Sequence, residues 1–220
     1  MYGKAQSYGG RLLSLLHNYR ETDAQEAAEN LRIIRDLMER STKHSTFAGV
    51  SGVVAGSASI LGCLVTRQLE RQGVPLERLQ VSFLGTWLSV IMIALLSDYF
   101  LTKRQARKVG KHILSRLGKQ MLRALLPALG TGAILTLYFL KHGMLAQIYP
   151  VWAMTYGAAV CAVGLFSQRE VTFLGIAFLV TGAFTFLFLP EQGLKMMALT
   201  FGGFHAVYGV GMGWKEKRAK

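Results

Sequence analysis

The stretch TFAGVSGVVAGSASILGCLV, residues 46–65, decides the fold class of this chain. It contains no charged side chain and follows a strongly polar segment directly. About 20 apolar residues in a helix cover roughly 30 Å, which is the thickness of the hydrocarbon core of a bilayer. The stretch therefore predicts a helix that spans a membrane.

Five further apolar blocks of similar length follow this one, separated by short polar segments. The predicted fold is therefore all-α, a polytopic bundle of six transmembrane helices within residues 46–214. A basic tail, residues 215–220, ends the chain. The predicted spans are residues 46–65, 81–101, 121–140, 147–166, 171–189 and 194–214.

Residues 1–45 precede the first span and predict a cytoplasmic, amphipathic helical segment. Asp23 is a plausible N-cap and Glu26 completes a start that resembles a capping box. Ala27, Leu31 and Ile34 then recur at helical spacing. This helix either packs against the bundle or the lipid headgroups, or serves as a docking or dimerisation helix.

The charge of the chain is strongly basic, at a formal +13, although only 17% of the residues are charged. The basic residues cluster in loops beside the apolar blocks, and we therefore expect contact with anionic lipid headgroups and no nucleic-acid binding. The loop between spans 2 and 3 is the most basic, and its headgroup contacts are predicted at Lys103, Arg104, Arg107, Lys108 and Lys111.

The distribution of Lys and Arg predicts the orientation of the bundle. With the N-terminus inside, the cytoplasmic segments hold 20 of the 25 Lys and Arg residues. Cytoplasmic loops carry such an excess, so both termini are predicted to be cytoplasmic. The protein is therefore expected to be a multi-pass protein of the cytoplasmic membrane. The five basic residues outside are Arg67, Arg71, Arg78, Lys141 and Lys195.

Two pairs of glycines have the GxxxG spacing that lets helices approach closely. Gly52 and Gly56 form the pair in span 1, and Gly209 and Gly213 form the pair in span 6. Each pair predicts a helix-packing surface, either inside the bundle or between copies in a homo-oligomer.

Ionisable residues inside spans are costly and therefore mark candidate sites. Asp98 lies near the end of span 2, and Arg123 lies in the first turn of span 3. These two residues are expected either to form an ion pair or to be hydrated separately at the interface.

His205 is the most deeply placed ionisable residue, about twelve residues into span 6. Tyr208 is adjacent to it on the helix surface. His205 is interpreted either as a haem ligand, metal ligand or proton relay, or as a neutral ring hydrogen-bonded to a neighbouring span. The other four histidines lie outside the spans, and no partner ligand is available at its depth.

Aromatic residues near the start of span 4 resemble the interfacial belt of membrane proteins. They are Tyr149, Trp152 and Tyr156.

Sequence signatures of enzymes are absent: there is no histidine box, HExxH, GxSxG or Walker A motif. Cys63 and Cys161 lie in separate apolar blocks and predict neither a disulfide nor a metal site. We therefore expect no enzymatic activity, no metal and no cofactor.

Several stretches resemble a group of uncharacterised bacterial integral membrane proteins. They are AAENLRIIRDLMER followed by the glycine-rich span, RALLPALGTGAILTL, YPVWAMTYGAAV and MALTFGGFHAVYGVGM, which together cover most of residues 27–214. The resemblance implies six spans, and it places His205 and Tyr208 on a pattern of that group. It implies no particular activity.

Three functional hypotheses follow. The first is a non-enzymatic accessory, interaction or sensing protein that offers its N-terminal helix and basic loop to a protein partner or anionic lipid. The second is a small transporter or permease-like protein with a polar site around Asp98, Arg123 and His205. The third is a haem- or quinone-linked membrane subunit.

Overall fold

The computed structural model describes residues 25–35, 49–108, 116–167 and 169–218, apart from the side chains at 105–108, 116, 117 and 216. Every regular element in these ranges is helical, and they contain no strand. The all-α prediction is therefore confirmed. The proposed N-cap Asp23 lies outside the described residues.

The chain separates into two units by its internal contacts, Met1–Lys43 and His44–Lys220. In the first unit, residues 25–35 form helix α1, and every one of these residues is exposed. The helical spacing of Ala27, Leu31 and Ile34 places these three apolar side chains on one side of α1.

The second unit begins with five long helices. Their bounds are Gly49–Arg71 for α2, Leu76–Lys108 for α3, Arg116–Lys141 for α4, Leu145–Gly164 for α5 and Arg169–Phe188 for α6. Each contains most of one predicted span, and several extend beyond it by a turn or more. Gly73 and Gly143 adopt positive φ values of 62° and 70° in the turns that precede α3 and α5. Glycine tolerates this backbone conformation because it has no Cβ.

The last helical run is not uniform. A 3₁₀ turn, Pro190–Gln192, leads into α7, Gly193–Met197. A π-helical segment, Ala198–Phe204, follows and is continuous with α8, His205–Arg218. Segments of π-helix are rare and frequently occur at functional sites. The π segment ends directly before His205.

The helices of the second unit pack in two groups. Helix α2 contacts α3, α8 and the π segment, whereas α5 contacts α4 and α6. Helix α7 contacts both α2 and α5 and joins the two groups. Helix α5 is extensively buried, with Ile148 and Ala159 at 1% and 0% exposure.

Two close helix contacts are made through glycine. A Cβ placed on Gly56 of α2 would lie 2.7 Å from the Gly202 carbonyl oxygen, and one on Gly52 would lie 3.0 Å from that of His205. Between α5 and α6, a Cβ on Gly157 would lie 2.7 Å from the backbone nitrogen of Leu179. These helices approach so closely only because the side chains are missing at these positions.

Four helices are long and apolar enough to cross a membrane, judged by length and composition within the described ranges. They are Gly49–Arg71, Leu76–Arg104, Gly118–Lys141 and Arg169–Phe188. The six-span prediction is therefore supported for four spans. Helix α5 and the last helical run are not among these four helices. Helix α5 contains Gln147 and several aromatic residues that lower its hydropathy, and the last run is divided into shorter elements.

Candidate functional site

Three aromatic side chains of α5 direct their polar atoms to neighbouring elements. The Tyr149 hydroxyl donates to Glu70 Oε1 at 3.1 Å, and Trp152 Nε1 donates to the Thr136 hydroxyl at 2.7 Å. The Tyr156 hydroxyl lies 2.7 Å from His205 Nε2. All three polar atoms thus have partners within the chain, and Tyr149 is buried. The interpretation of Tyr149, Trp152 and Tyr156 as an interfacial belt stays a prediction.

The contact between Tyr156 and His205 is the centre of the candidate site. The second nitrogen of the ring, Nδ1, lies 3.0 Å from the Phe201 carbonyl oxygen. A carbonyl can only accept a hydrogen bond, so Nδ1 must carry a hydrogen. In the neutral ring, Nε2 is then the acceptor, and the Tyr156 hydroxyl donates to it. The contacts of His205 thus select one neutral tautomer.

The Phe201 carbonyl that this ring contacts lies in the π segment. The backbone N–H of His205 bonds to the Gly202 carbonyl, three residues earlier. An α-helix would direct the same N–H to Phe201, four residues earlier. The Phe201 oxygen instead accepts from the His205 side chain. The contacts with Phe201 and Tyr156 together orient the imidazole.

Aromatic rings enclose the imidazole of His205. The centroid of the Phe178 ring lies 5.3 Å from that of His205, and the Phe201 ring stacks on it at 6.0 Å. The Tyr156 ring contacts Phe178 and Phe201 as well. Phe178 is fully buried. These apolar contacts lower the polarity around His205, and hydrogen bonds are stronger in surroundings of lower polarity.

Asp98 and Tyr208 complete a cluster of polar groups around Tyr156. The half-buried Asp98 carboxylate of α3 accepts a hydrogen bond from the Ser51 hydroxyl of α2. Asp98 and Tyr208 are both close enough to the Tyr156 hydroxyl to interact with it electrostatically. Asp98, Tyr156, His205 and Tyr208 are called the polar cluster below.

Arg123 is not part of the polar cluster. Its side chain is exposed on α4, and it forms no ion pair with Asp98. The expected pairing assumed that consecutive spans are neighbours, but α3 packs mainly on α2, whereas α4 packs on α5. Within the described ranges, the ion pair that forms joins Lys215 of α8 to Glu170 of α6.

The four glycines of the GxxxG pairs belong to one interface inside the chain. Gly52 and Gly56 of α2 lie against the run from Gly202 to Gly209. Gly213 lies against Gly49, whose Cβ would be 2.6 Å from the Gly213 nitrogen. This packing accounts for Gly52, Gly56 and Gly209 without a second copy of the protein, whereas a Cβ on Gly213 would have nothing within 4 Å.

The basic loop is only partly described. Lys103 is half-buried, with its Nζ 3.3 Å from the Tyr99 hydroxyl, and Arg104 is exposed. The side chains of Arg107 and Lys108 and the whole of Lys111 lie outside the described residues.

No group of three or more His, Cys, Asp or Glu side chains suited to a metal ion occurs in the part of the chain that the structure describes. Both ring nitrogens of His205 have hydrogen-bond partners. Ligation of haem iron by His205 would have to break one of these two bonds.

Comparison with known proteins shows no relative. No protein-family model, no curated protein and no solved structure matches the chain.

Sequence reasoning did not identify Tyr156 or Glu170 as site residues. The hydroxyls of Tyr149 and Tyr156 lie on one side of α5 because the residues are seven positions apart. Because α5 is a buried helix, this spacing is a signal that both hydroxyls face other helices of the bundle. Glu170 lies in the first turn of α6, and its proximity to Tyr208 depends on how α6 packs near α8.

Proposed function

We propose that this protein is a six-span protein of the bacterial cytoplasmic membrane that serves as an accessory or interaction protein. Both termini lie in the cytoplasm, and helix α1 binds a protein partner there. The bias of Lys and Arg residues supports this orientation. The proposal also assigns the chain to the bacterial group that its N-terminal helix and last span resemble.

The uncovered apolar side of α1 is the observation that carries this proposal. Leu31 and Ile34 are 66% and 51% exposed, and they lie three residues apart on a helix whose other residues are mainly polar. Burial of a Leu or Ile side chain contributes about 1.5–3 kcal/mol. Grooves that bind helices recognise this spacing of apolar side chains.

The interior of the second unit favours a scaffold over a catalyst. Glycine contacts bring α2 close to α8 and α5 close to α6, and the polar atoms of Trp152 and Tyr156 bond to Thr136 and His205. Helix α3 presents Leu88, Met92 and Leu95 at the surface, as a lipid-facing helix does.

Site-specific photocrosslinking in intact cells tests the interaction. A photoreactive amino acid replaces Leu31 or Ile34 in separate variants, and Glu29 serves as the matched control on the same helix. We expect one discrete protein adduct from Leu31 and Ile34 and none from Glu29. The Ile34→Glu substitution should abolish the adduct formed at Leu31.

Adducts with lipid alone would contradict the partner and assign α1 to the membrane surface. Equal protein adducts from all three positions would indicate contact that is not specific to the apolar side, and would also contradict the proposal.

A permease-like function is the second candidate, and the polar cluster is the observation that favours it. Asp98, Tyr156 and His205 are polar groups brought together from three helices of the bundle. Arg123, which lies outside the polar cluster, is not part of this proposed transport site. Purified protein in liposomes should then carry a proton or solute flux that Asp98→Asn and His205→Phe abolish. A flux equal to that of empty liposomes would reject this candidate.

A further inference from the structure

Two basic side chains of the second unit lie over aromatic rings. Nζ of Lys103 is 5.3 Å from the centroid of the Tyr99 ring and 3.3 Å from its hydroxyl. The guanidinium carbon of Arg218 is 6.0 Å from the centroid of the Trp214 ring. In each pair the cation follows the aromatic residue by four positions, which places both side chains on one side of the same helix. One pair therefore belongs to α3 and the other to α8.

Both pairs lie at the same end of the bundle, because α2 packs against α3 and α8. A Cβ on Gly62 of α2 would lie 2.8 Å from a methyl group of Val90 on α3, to which a short turn joins it. Equal numbers of residues lead from this contact to Gly49 on α2 and to Lys103 on α3, so with the same rise per residue these two residues are level. A Cβ on Gly49 would also lie 2.6 Å from the nitrogen of Gly213, which directly precedes the pair on α8.

The two rings are exposed at the edge of an apolar region. Tyr99 and Trp214 are 46% and 66% exposed. The part of α3 that is apolar enough to cross a membrane ends at Arg104, directly after Lys103. Tyr and Trp are enriched where such a span meets the interface, because each ring is apolar and carries one polar atom. These two rings are therefore placed at the height of the lipid headgroups.

The cations of the two pairs suit a phosphate group. The ion pair at this end of the bundle neutralises a different cation, Lys215, through Glu170. An aromatic ring attracts a cation but does not neutralise its charge. Ammonium and guanidinium groups carry three and five N–H donors, more than the contact with a ring occupies, and phosphate oxygens accept strong hydrogen bonds from them. Each pair thus presents a positive charge beside an apolar ring.

The opposite end of the bundle lacks this arrangement in the part of the chain that the structure describes. Lys141 ends α4 beside Leu140, whose carbonyl accepts a hydrogen bond of 2.6 Å from Gln80 near the start of α3. Lys141 is exposed and does not lie over a ring, as is also true of Lys195 on α7. These two lysines are therefore matched controls for a single positive charge at the surface.

We propose that the Tyr99–Lys103 and Trp214–Arg218 pairs are binding sites for anionic phospholipids in one leaflet of the membrane. The cation binds the lipid phosphate, and the ring packs against the glycerol region of the same lipid. The headgroup contact expected at Lys103 thereby becomes part of a defined site, and the C-terminal end of α8 gains a second one. The proposal rests on the membrane location in the proposed function and does not depend on the partner of α1.

Quenching of tryptophan fluorescence tests the site on α8. The full-length protein is reconstituted in vesicles of phosphatidylcholine with a minority of phosphatidylglycerol. The lipid composition stays constant, and bromine atoms, which quench tryptophan at short range, are carried either by the phosphatidylglycerol or by an equal amount of the phosphatidylcholine. The difference in signal between a protein and its Trp214→Phe variant isolates the Trp214 fluorescence.

We expect brominated phosphatidylglycerol to quench Trp214 more strongly than brominated phosphatidylcholine does. One cation near an anionic membrane contributes about a fivefold preference, so Arg218→Gln should reduce the preference several-fold. Arg218 is exposed, and its substitution should leave the fold intact. Added sodium chloride should weaken the preference by screening. Lys195→Gln, at the opposite end, should leave it unchanged.

The site on α3 is tested with the fluorophore moved to it. Tyr99→Trp in the Trp214→Phe background keeps an aromatic ring beside Lys103 and reports on the lipid there. The same comparison of brominated lipids should again show a preference for phosphatidylglycerol. Lys103→Gln should reduce this preference several-fold, and Lys141→Gln should not.

Three results in protein that is inserted in the vesicles would overturn the lipid sites. The first is equal quenching by the two brominated lipids. The second is a preference that the substitutions in the pairs leave unchanged or that the control substitutions reduce equally, since it would then arise from total charge. The third is a preference that sodium phosphate abolishes and sodium chloride of equal ionic strength does not, which would assign the pairs to free phosphate. Failure of the wild-type protein to insert would instead contradict the membrane location, on which both proposals rest.

Discussion

The Tyr156 hydroxyl of α5 lies 2.7 Å from Nε2 of His205, the first residue of α8. This bond links the two groups of helices, because α5 packs with α4 and α6 whereas α8 packs with α2. It also completes the hydrogen bonding of the imidazole, whose other nitrogen contacts the Phe201 carbonyl.

Tyr156→Phe removes the hydroxyl from this pair and keeps the ring. We expect the free energy of unfolding to fall by about 1 kcal/mol, because Nε2 of His205 loses its donor inside an aromatic enclosure. Unfolding in a denaturing detergent measures the change. Tyr138→Phe is the control, since Tyr138 is 53% exposed, and it should have almost no effect. Equal effects of the two substitutions would contradict a structural role for the bond.

Gly56→Ala adds a methyl group where α2 meets the last helical run. The new Cβ would lie 2.7 Å from the Gly202 carbonyl oxygen, so the helices must separate. We expect a loss of about 1–3 kcal/mol in stability. Gly130→Ala is the matched control, because nothing lies within 4 Å of its Cβ, and it should be neutral or stabilising.

The same pair of variants distinguishes packing inside the chain from a homodimer. The oligomeric state in mild detergent should be equal for wild type and Gly56→Ala. Dissociation of an oligomer by Gly56→Ala, with no loss of monomer stability, would show that the glycines form an interface between copies.

Lys215→Gln breaks the ion pair with Glu170. Their side chains are 60% and 42% exposed, so solvent screens the attraction. We expect stability to fall by less than about 1 kcal/mol, and the difference from wild type to shrink as salt is added. Thermal unfolding at low and high salt measures both effects. A loss that is large and independent of salt would mean that the pair is shielded from water.

Cysteine labelling tests the orientation of the protein. In a background carrying Cys63→Ser and Cys161→Ser, His142→Cys places a thiol between α4 and α5, and Lys217→Cys places one near the end of α8. We expect a membrane-impermeant maleimide to label the first in intact cells and the second only after lysis, because the charge bias places the C-terminus inside. The reverse pattern would invert the proposed topology.

Much of the helical architecture could be predicted because it depends on local sequence. An apolar run of about 20 residues has few alternatives to a helix in a bilayer, since every backbone polar group must be bonded within its own segment. The predicted spans accordingly lie largely within α2 to α6 and the final run. The predicted ends of the helices were less accurate. Helices α2 and α3 extend beyond the apolar blocks and include polar residues such as Glu70 and Glu77.

The candidate site was predictable only in part. Asp98, His205 and Tyr208 were recognised because polar groups inside apolar runs are costly. The partners of these groups depend on which helices are adjacent. Asp98 contacts Ser51 of α2 and lies away from Arg123, since α3 packs on α2.

The amino-acid sequence by itself determined the class of this protein, its apolar helices and the positions of its costly polar residues, because these follow from hydropathy and charge along the chain. Only the tertiary structure decided that both glycine pairs lie at one internal interface and that Tyr156 bonds to His205. The physical reason is that such contacts join residues far apart in the sequence, such as Gly52 and Gly209. They depend on three-dimensional packing that no local pattern encodes.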